Sequence, residues 1–237
     1  MHSSSLRTLL AATLLLAPCA AAAQGAAAFL DIPADARSAA MGGAGTARSA
    51  DAFSAFRNAA PLSSAETRAG GGYTYLPWMR SLIPETTLHA AAAYFKPNAK
   101  QAVSLGFRHF TQYGSERTDD NGNVLGRLRP RDMAFDIGYS RTIAKGLSAA
   151  LTGRYVRSDA GTGHTGNAVA FDAGLFHRQT LSRSHALNFG FQAANFGSGI
   201  DCGDGRQPLP WRLKAGVAAD LALAQAHRLT LTAEADW

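Results

Sequence analysis

The sequence predicts an all-β fold, an antiparallel transmembrane β-barrel with a small N-terminal plug segment. Three observations predict it. From residue 66 onward, segments with period-2 alternation recur with turn residues between them. The links between those segments alternate between short and long. Only 17% of the 237 residues are charged, while 46% are hydrophobic and the net charge is +6. An average soluble domain has ~25% charged residues, so many outward positions are expected to face something other than water.

Residues 1–23 read as an export signal. Arg7 precedes a mostly apolar run over residues 9–17, followed by Pro18 and the small residues 20–23 before Gln24. The apolar core is too short for a helical span of ~20 residues, and Ala21 and Ala23 form an A-x-A cleavage site. Pro18 directly before Cys19 makes a poor lipoprotein signal. Cleavage before Gln24 leaves Cys202 as the single mature cysteine, which excludes an internal disulfide. No later segment reads as a transmembrane helix, so a membrane form would be built of strands.

Residues 24–65 form the expected plug segment. The stretch 29–60 is rich in small residues, holds the pair Gly42-Gly43 and shows no strand period. Ala39, Met41 and Ala44, then Ala52, Phe53 and Phe56, suggest short helical turns broken at the glycines. The glycine pair lacks the Lys-Ser/Thr that follows a phosphate loop; its expected role is close packing of the plug. Arg37 is expected to pair with an inward carboxylate such as Asp136 or Asp172, because buried charges require partners.

Residues 66–237 supply the barrel strands. Nine segments alternate, over residues 68–76, 87–95, 102–113, 132–142, 146–156, 168–179, 186–196, 212–221 and 228–237. In the clearest, Met133, Phe135, Ile137 and Tyr139 alternate with Asp132, Asp136, Gly138 and Ser140. Side chains alternate across a strand, so each segment has one apolar face and one polar or small face. The triplet Gly70-Gly71-Gly72 weakens the first segment. Links at 96–101, 143–145, 181–184 and 222–227 are short, whereas those at 114–131, 158–166 and 197–211 are longer. Outer-membrane barrels pair short periplasmic turns with long extracellular loops; a soluble sandwich, the alternative, gives no reason for such alternation. Trp78, Tyr113 and Trp211 fall near strand ends on the long-loop side, and Tyr94 and Phe95 near a short turn, as interfacial girdles require. Closed bacterial barrels use an even number of strands, and an open edge in lipid leaves unpaired backbone groups. The chain is therefore expected to be part of a longer barrel.

The stretch FLDIPADARSAAMGGAGTA over residues 29–47 resembles the PorV/PorQ family of Bacteroidota outer-membrane proteins, themselves similar to FadL-type barrels. Its most specific part is Asp35-Ala36-Arg37 with Met41-Gly42-Gly43, matching the family's D-A-R-x-A-x-M-G-G-A. Asn58 stands where the family has N-P-A, although Ala59 replaces the proline. PRDMAFDIGYSR (130–141), FDAGLFHR (171–178), ANFGSGI (194–200) and PLPWRLKAGVA (208–218) are similar to family strand motifs. The resemblance implies a FadL-like barrel of about fourteen strands when complete, about nine of them here, with the C-terminal portion absent. It also implies residence in the cell outer membrane and work with the type IX secretion system. PorV-like members receive cargo through C-terminal β-domains and pass it to the attachment machinery, and PorQ-like members hold a surface partner. Asp35, Arg37, Met41, Gly42, Gly43 and Asn58 are then the candidate plug motif. The 197–211 loop, with Asp201, Cys202 and Trp211, is the candidate extracellular partner loop, able to offer backbone and aromatic surface to a β-domain.

Catalytic chemistry finds little support. The seven histidines show no HExxH or i,i+4 pair, so a metal site would have to be assembled across strands. Ser158, Asp159 and His164 share one loop without an orienting scaffold, and no serine has a nucleophile-elbow context. The run from Thr118 to Asn123 lacks the spaced carboxylates and bidentate glutamate of a calcium loop; Asn121-Gly122 suits a hairpin turn instead. Arg127, Arg129 and Arg131 alternate and would meet lipopolysaccharide phosphates if extended, or else are solvated loop charges. The arginines are otherwise scattered, which argues against nucleic acid. The sequence implies no enzyme and no cofactor. It leaves two functions: a plugged barrel accepting secreted proteins, or a FadL-like channel for hydrophobic small molecules.

Overall fold

The computed structural model describes residues 26–237 apart from 80, 84, 113, 115, 120, 122, 183, 202, 204 and 223–226. The export signal expected over residues 1–23, and the expectations placed on Tyr113, Asp120, Gly122 and Cys202, lie outside the described residues.

Among the described residues, nine long strands make one antiparallel sheet: β1 (Ala69–Pro77), β2 (Thr87–Asn98), β3 (Gln101–Thr111), β6 (Arg131–Ala144), β7 (Leu147–Asp159), β8 (Thr165–Thr180), β9 (His185–Gly197), β12 (Arg212–Ala222) and β13 (Arg228–Asp236). Each pairs with the next in sequence, so the sheet is a plain meander. Two small hairpins occupy long links: β4 (Glu116–Thr118) with β5 (Val124–Arg127), and β10 (Ile200–Asp201) with β11 (Arg206–Gln207). The expected segments are therefore all strands, several longer than the alternation suggested. β1 pairs along its whole length with β2 despite its glycines. Gly72 is needed there for close approach, since a Cβ would stand 2.7 Å from the ring of Phe53.

The alternation is turned inside out relative to a soluble sheet. The inner face carries Ser104, Arg108, Asp136, Ser140, Thr152, Arg154, Asp172, Asn188 and Gln192, all buried. The outer face carries large apolar side chains in the open, among them Leu105 at 60%, Ile137 at 68% and Leu151 at 68% exposure. A soluble sheet buries its apolar face because removing that surface from water is the main stabilising term. β2 departs from its neighbours: its inner face is apolar, with Leu88 and Tyr94 buried.

The inner face is covered by the N-terminal segment. It consists of short turns rather than strands: 3-10 turns Ala28–Asp31, Ala52–Phe56 and Ala60–Ser64, and one α-helical turn Ala36–Ala40. Two apolar clusters seat it. Toward the long loops, Phe29 and Leu30 pack with Leu88, Phe110, Val156, Ile200 and Leu209, the Phe29 and Phe110 rings stacking at 6.2 Å. Toward the short turns, Ala60 and Leu62 pack with Tyr94, Ala102 and Phe176. Small inner-face residues let the segment lie close. A Cβ on Gly106 would meet the Phe56 ring, and one on Gly190 would run into the Thr46 carbonyl.

Candidate functional site

The Asp35 to Gly43 signature folds as one capped helical turn. Asp35 is its N-cap: Oδ1 accepts the Ser38 N–H at 2.9 Å and Oδ2 accepts the Ser38 hydroxyl at 2.6 Å. Burial alone would raise the Asp35 carboxyl, but these two bonds and the Arg57 and Arg48 guanidiniums hold it below the usual carboxylate range. At the other end Met41 is the C-cap, the Gly43 N–H donates to Ser38 O at 2.8 Å, and the Gly42 N–H donates to Ala39 O at 3.2 Å. This pair of bonds is a Schellman motif, which needs a left-handed residue after the cap. Gly42 (φ 65°) and Gly43 (φ 84°) supply it. Close packing, the expected reason for the glycines, is not the cause: a Cβ on either would meet nothing within 4 Å. On this turn Ser38 is the buried residue, while Ala39 is exposed.

Asn58 ties the segment to the sheet. Its side-chain amide donates to Thr46 O at 3.0 Å and to Leu175 O in β8 at 2.9 Å, while Oδ1 accepts the Ala60 N–H at 3.0 Å. Other polar ties run to the last two strands. Glu234 Oε2 accepts the Gly45 and Thr46 N–H groups at 2.9 and 2.7 Å, and the Arg212 guanidinium holds Asp31 through two bonds. Within the segment Arg48 lies fully buried and pairs with Asp51 at 2.9 Å. Burial and the neighbouring Arg57 pull its pKa down to about 10, which leaves it charged at neutral pH.

A ladder of alternating charges crosses the inner face from β3 to β8. Arg108 reaches Asp136 at 3.4 Å, Arg154 reaches Asp136 through Nε, and Arg154 Nη2 reaches Asp172 at 3.0 Å. Asp136 and Arg154 are direct cross-strand partners. Arg108 also donates to Leu30 O at 3.0 Å and lies over the Phe56 ring at 4.8 Å. This corrects the expected partner of the two inward carboxylates. Asp136 and Asp172 are inside as anticipated, but Arg108 and Arg154 pair with them, whereas Arg37 is exposed. Both strand arginines alternate with the apolar residues of their own strands, and it is the cross-strand register that brings them to the carboxylates.

The ladder ends at a β-bulge. Between β8 and β9 the register slips, with Phe171 opposite Phe196 but Ala173 opposite Ala193. The extra residue leaves Asn195 left-handed (φ 60°), and its freed N–H donates to Asp172 Oδ1 at 2.7 Å. The Asn195 amide donates to Pro210 O at 2.9 Å, and its Oδ1 accepts from Arg154. The 197–211 loop is thereby drawn back over the sheet, with Ile200 and Leu209 buried. Asp201 and Trp211 of the candidate partner loop stay exposed, and the Trp211 ring lies 5.5 Å from Phe196.

The N-terminal segment and the inner face border an open cavity of about 490 Å³ lined by Phe53, Phe56, Arg57, Arg108, Arg154 and Asp172 among others. Its carboxylates are taken up by neighbours, Asp31 by Arg212, Asp172 by Arg154 and Glu234 by backbone amides. The Ser158 hydroxyl donates its proton to Asp132, so that proton is engaged there rather than offered to a histidine base. His89 and His109 do meet across β2 and β3, ring centroids 6.3 Å apart on the outer face. Among the described residues no third ligand-type group completes a metal site there. In the β4–β5 hairpin, Asp119 accepts the Asn121 and Asn123 N–H groups, as a turn requires.

A family model described as "Type IX secretion system protein PorV" matches residues 20–236. No curated protein matches the chain.

Proposed function

Because the chain belongs to the PorV family of type IX secretion system proteins, we propose that it is a plugged outer-membrane β-barrel that receives secreted proteins through their C-terminal β-domains. The observation that carries this reading is the inverted sheet. A face of exposed leucine, isoleucine and phenylalanine backed by a buried charge ladder suits lipid outside and a polar interior. Residues 24–65 act as the plug, the export signal over residues 1–23 brings the chain to the envelope, and the capped turn from Asp35 to Gly43 keeps the plug's shape. Asn58 fastens it to the wall. Arg37, exposed on that turn, and the loop residues Asp201, Cys202 and Trp211 are the contact candidates.

Filling of the long-loop end favours cargo binding over a conduit for hydrophobic small molecules. Such a conduit needs an apolar path past the plug, and Phe29, Leu30, Phe110, Val156 and Ile200 occupy that end. The bulge between β8 and β9 is plugged by Asp172, Arg154 and Asn195. The test is crosslinking of the full-length tagged protein in its native outer membrane, followed by mass spectrometry. Secreted proteins sharing a C-terminal β-domain, or attachment subunits, are the expected companions. Recovery of neither, with loss of fatty-acid uptake in a deletion strain, would overturn the reading in favour of the conduit.

A further inference from the structure

The two rims of the sheet differ in charge. At the long-loop rim both signs are mixed, with Glu116, Asp159 and Asp201 among Arg129, Arg131 and Arg157. At the short-turn rim, exposed cations dominate: Arg68, Lys100, Arg141, Lys145 and Arg228. Among the described residues the carboxylates there are Glu66 and Asp220, and Asp220 is already spent on Ser49, Asn188, Thr230 and Arg178.

The centre of this rim is compact. The Thr142 N–H donates to Lys100 O at 2.8 Å, and Arg141 stands opposite Gln101, which brings the β2–β3 and β6–β7 turns side by side. Lys100, Arg141 and Lys145 therefore share one edge, and among the described residues none has an ion-pair partner. Immediately toward the middle of the outer face come Phe95, Val103, Tyr139 and Leu151, all exposed and linked through the strand register. Arg68 lies over the Phe95 ring at 5.4 Å. Cations just beyond an aromatic and aliphatic band match the depth of lipid phosphates next to acyl chains.

We propose that the short-turn rim is a binding surface for the phosphate headgroups of anionic phospholipids, centred on Lys100, Arg141 and Lys145. The inference rests on the membrane reading above. An acidic protein would satisfy the same charge, but it would not need the apolar band directly behind the cations.

The test reconstitutes the purified full chain in nanodiscs holding phosphatidylglycerol and phosphatidylcholine, and measures co-purifying lipid by mass spectrometry. Phosphatidylglycerol is expected to be enriched by roughly five-fold for each cation engaged. The enrichment should collapse in the triple variant Lys100→Gln, Arg141→Gln, Lys145→Gln and at high salt, where screening shortens to a few ångströms. These exposed turn substitutions should leave insertion and protease resistance unchanged. Bulk lipid ratios around the wild-type protein, or equal enrichment in the variant, would overturn the proposal. Capture of polyglutamate with bulk lipid ratios would overturn it in favour of an acidic protein. Failure of the wild type to enter any bilayer would sink the membrane reading, and this proposal with it.

Discussion

At the scale of single residues, the most informative side chains are those that satisfy backbone groups. Asp35 and Asn58 each accept from a backbone amide, and Asn58 also serves two carbonyls. Losing an N-cap costs about 1 kcal/mol, so Asp35→Ala should lower stability by that amount in denaturant titration. Asn58→Ala strands Thr46 O and Leu175 O in a buried site and should cost more, about 1–3 kcal/mol. Asp35 also makes a pH prediction. Its folded pKa lies below the unfolded one, so its stabilisation is present above the usual carboxylate range and vanishes as pH falls through the depressed value. Melting curves between pH 7 and 3 should therefore fall less steeply for Asp35→Asn than for the wild type. The signature is thus explained by capping, and Arg37 remains as its residue with a free face.

At the scale of elements, strand pairing turns scattered charges into a ladder. Removing one member of a buried ion pair leaves an uncompensated charge, costing about 3–5 kcal/mol, whereas an apolar replacement of the whole set is often neutral. Arg154→Met should accordingly destabilise far more than the combined replacement of Arg108, Asp136, Arg154 and Asp172 by apolar residues; equal losses by chemical denaturation would refute the ladder's coupling. The N-terminal segment makes a second element-scale prediction. Gly190→Val would collide with Thr46 and Ala47, pushing the segment off the sheet. Trypsin should then cut at Arg48 and Arg57 while the strands stay protected.

At the scale of the whole molecule, the sheet's apolar face looks outward and its charges look inward. On the membrane reading, Ile137→Arg near the middle of that face should cost about 2–4 kcal/mol of insertion free energy. Ser140→Ala, three residues away on the inner face, should insert normally. The readout is the folded fraction in vesicles by heat-modifiable gel mobility. Equal insertion of both variants would place the outer face in water or against protein rather than lipid.

Much of this architecture was legible in the residues themselves. Alternation located all nine long strands, because side-chain direction along a strand is a local property, and the glycine pair located the end of the turn at Met41. The short and long links fixed which strand ends lie together. What the local pattern does not carry is which residue stands opposite which. The partners of Asp136 and Asp172, the bulge that turns Asn195, and the return of Ile200 and Leu209 over Phe29 all depend on cross-strand register. Register is settled only when the N-terminal segment and the sheet pack together, so tertiary structure alone decided them.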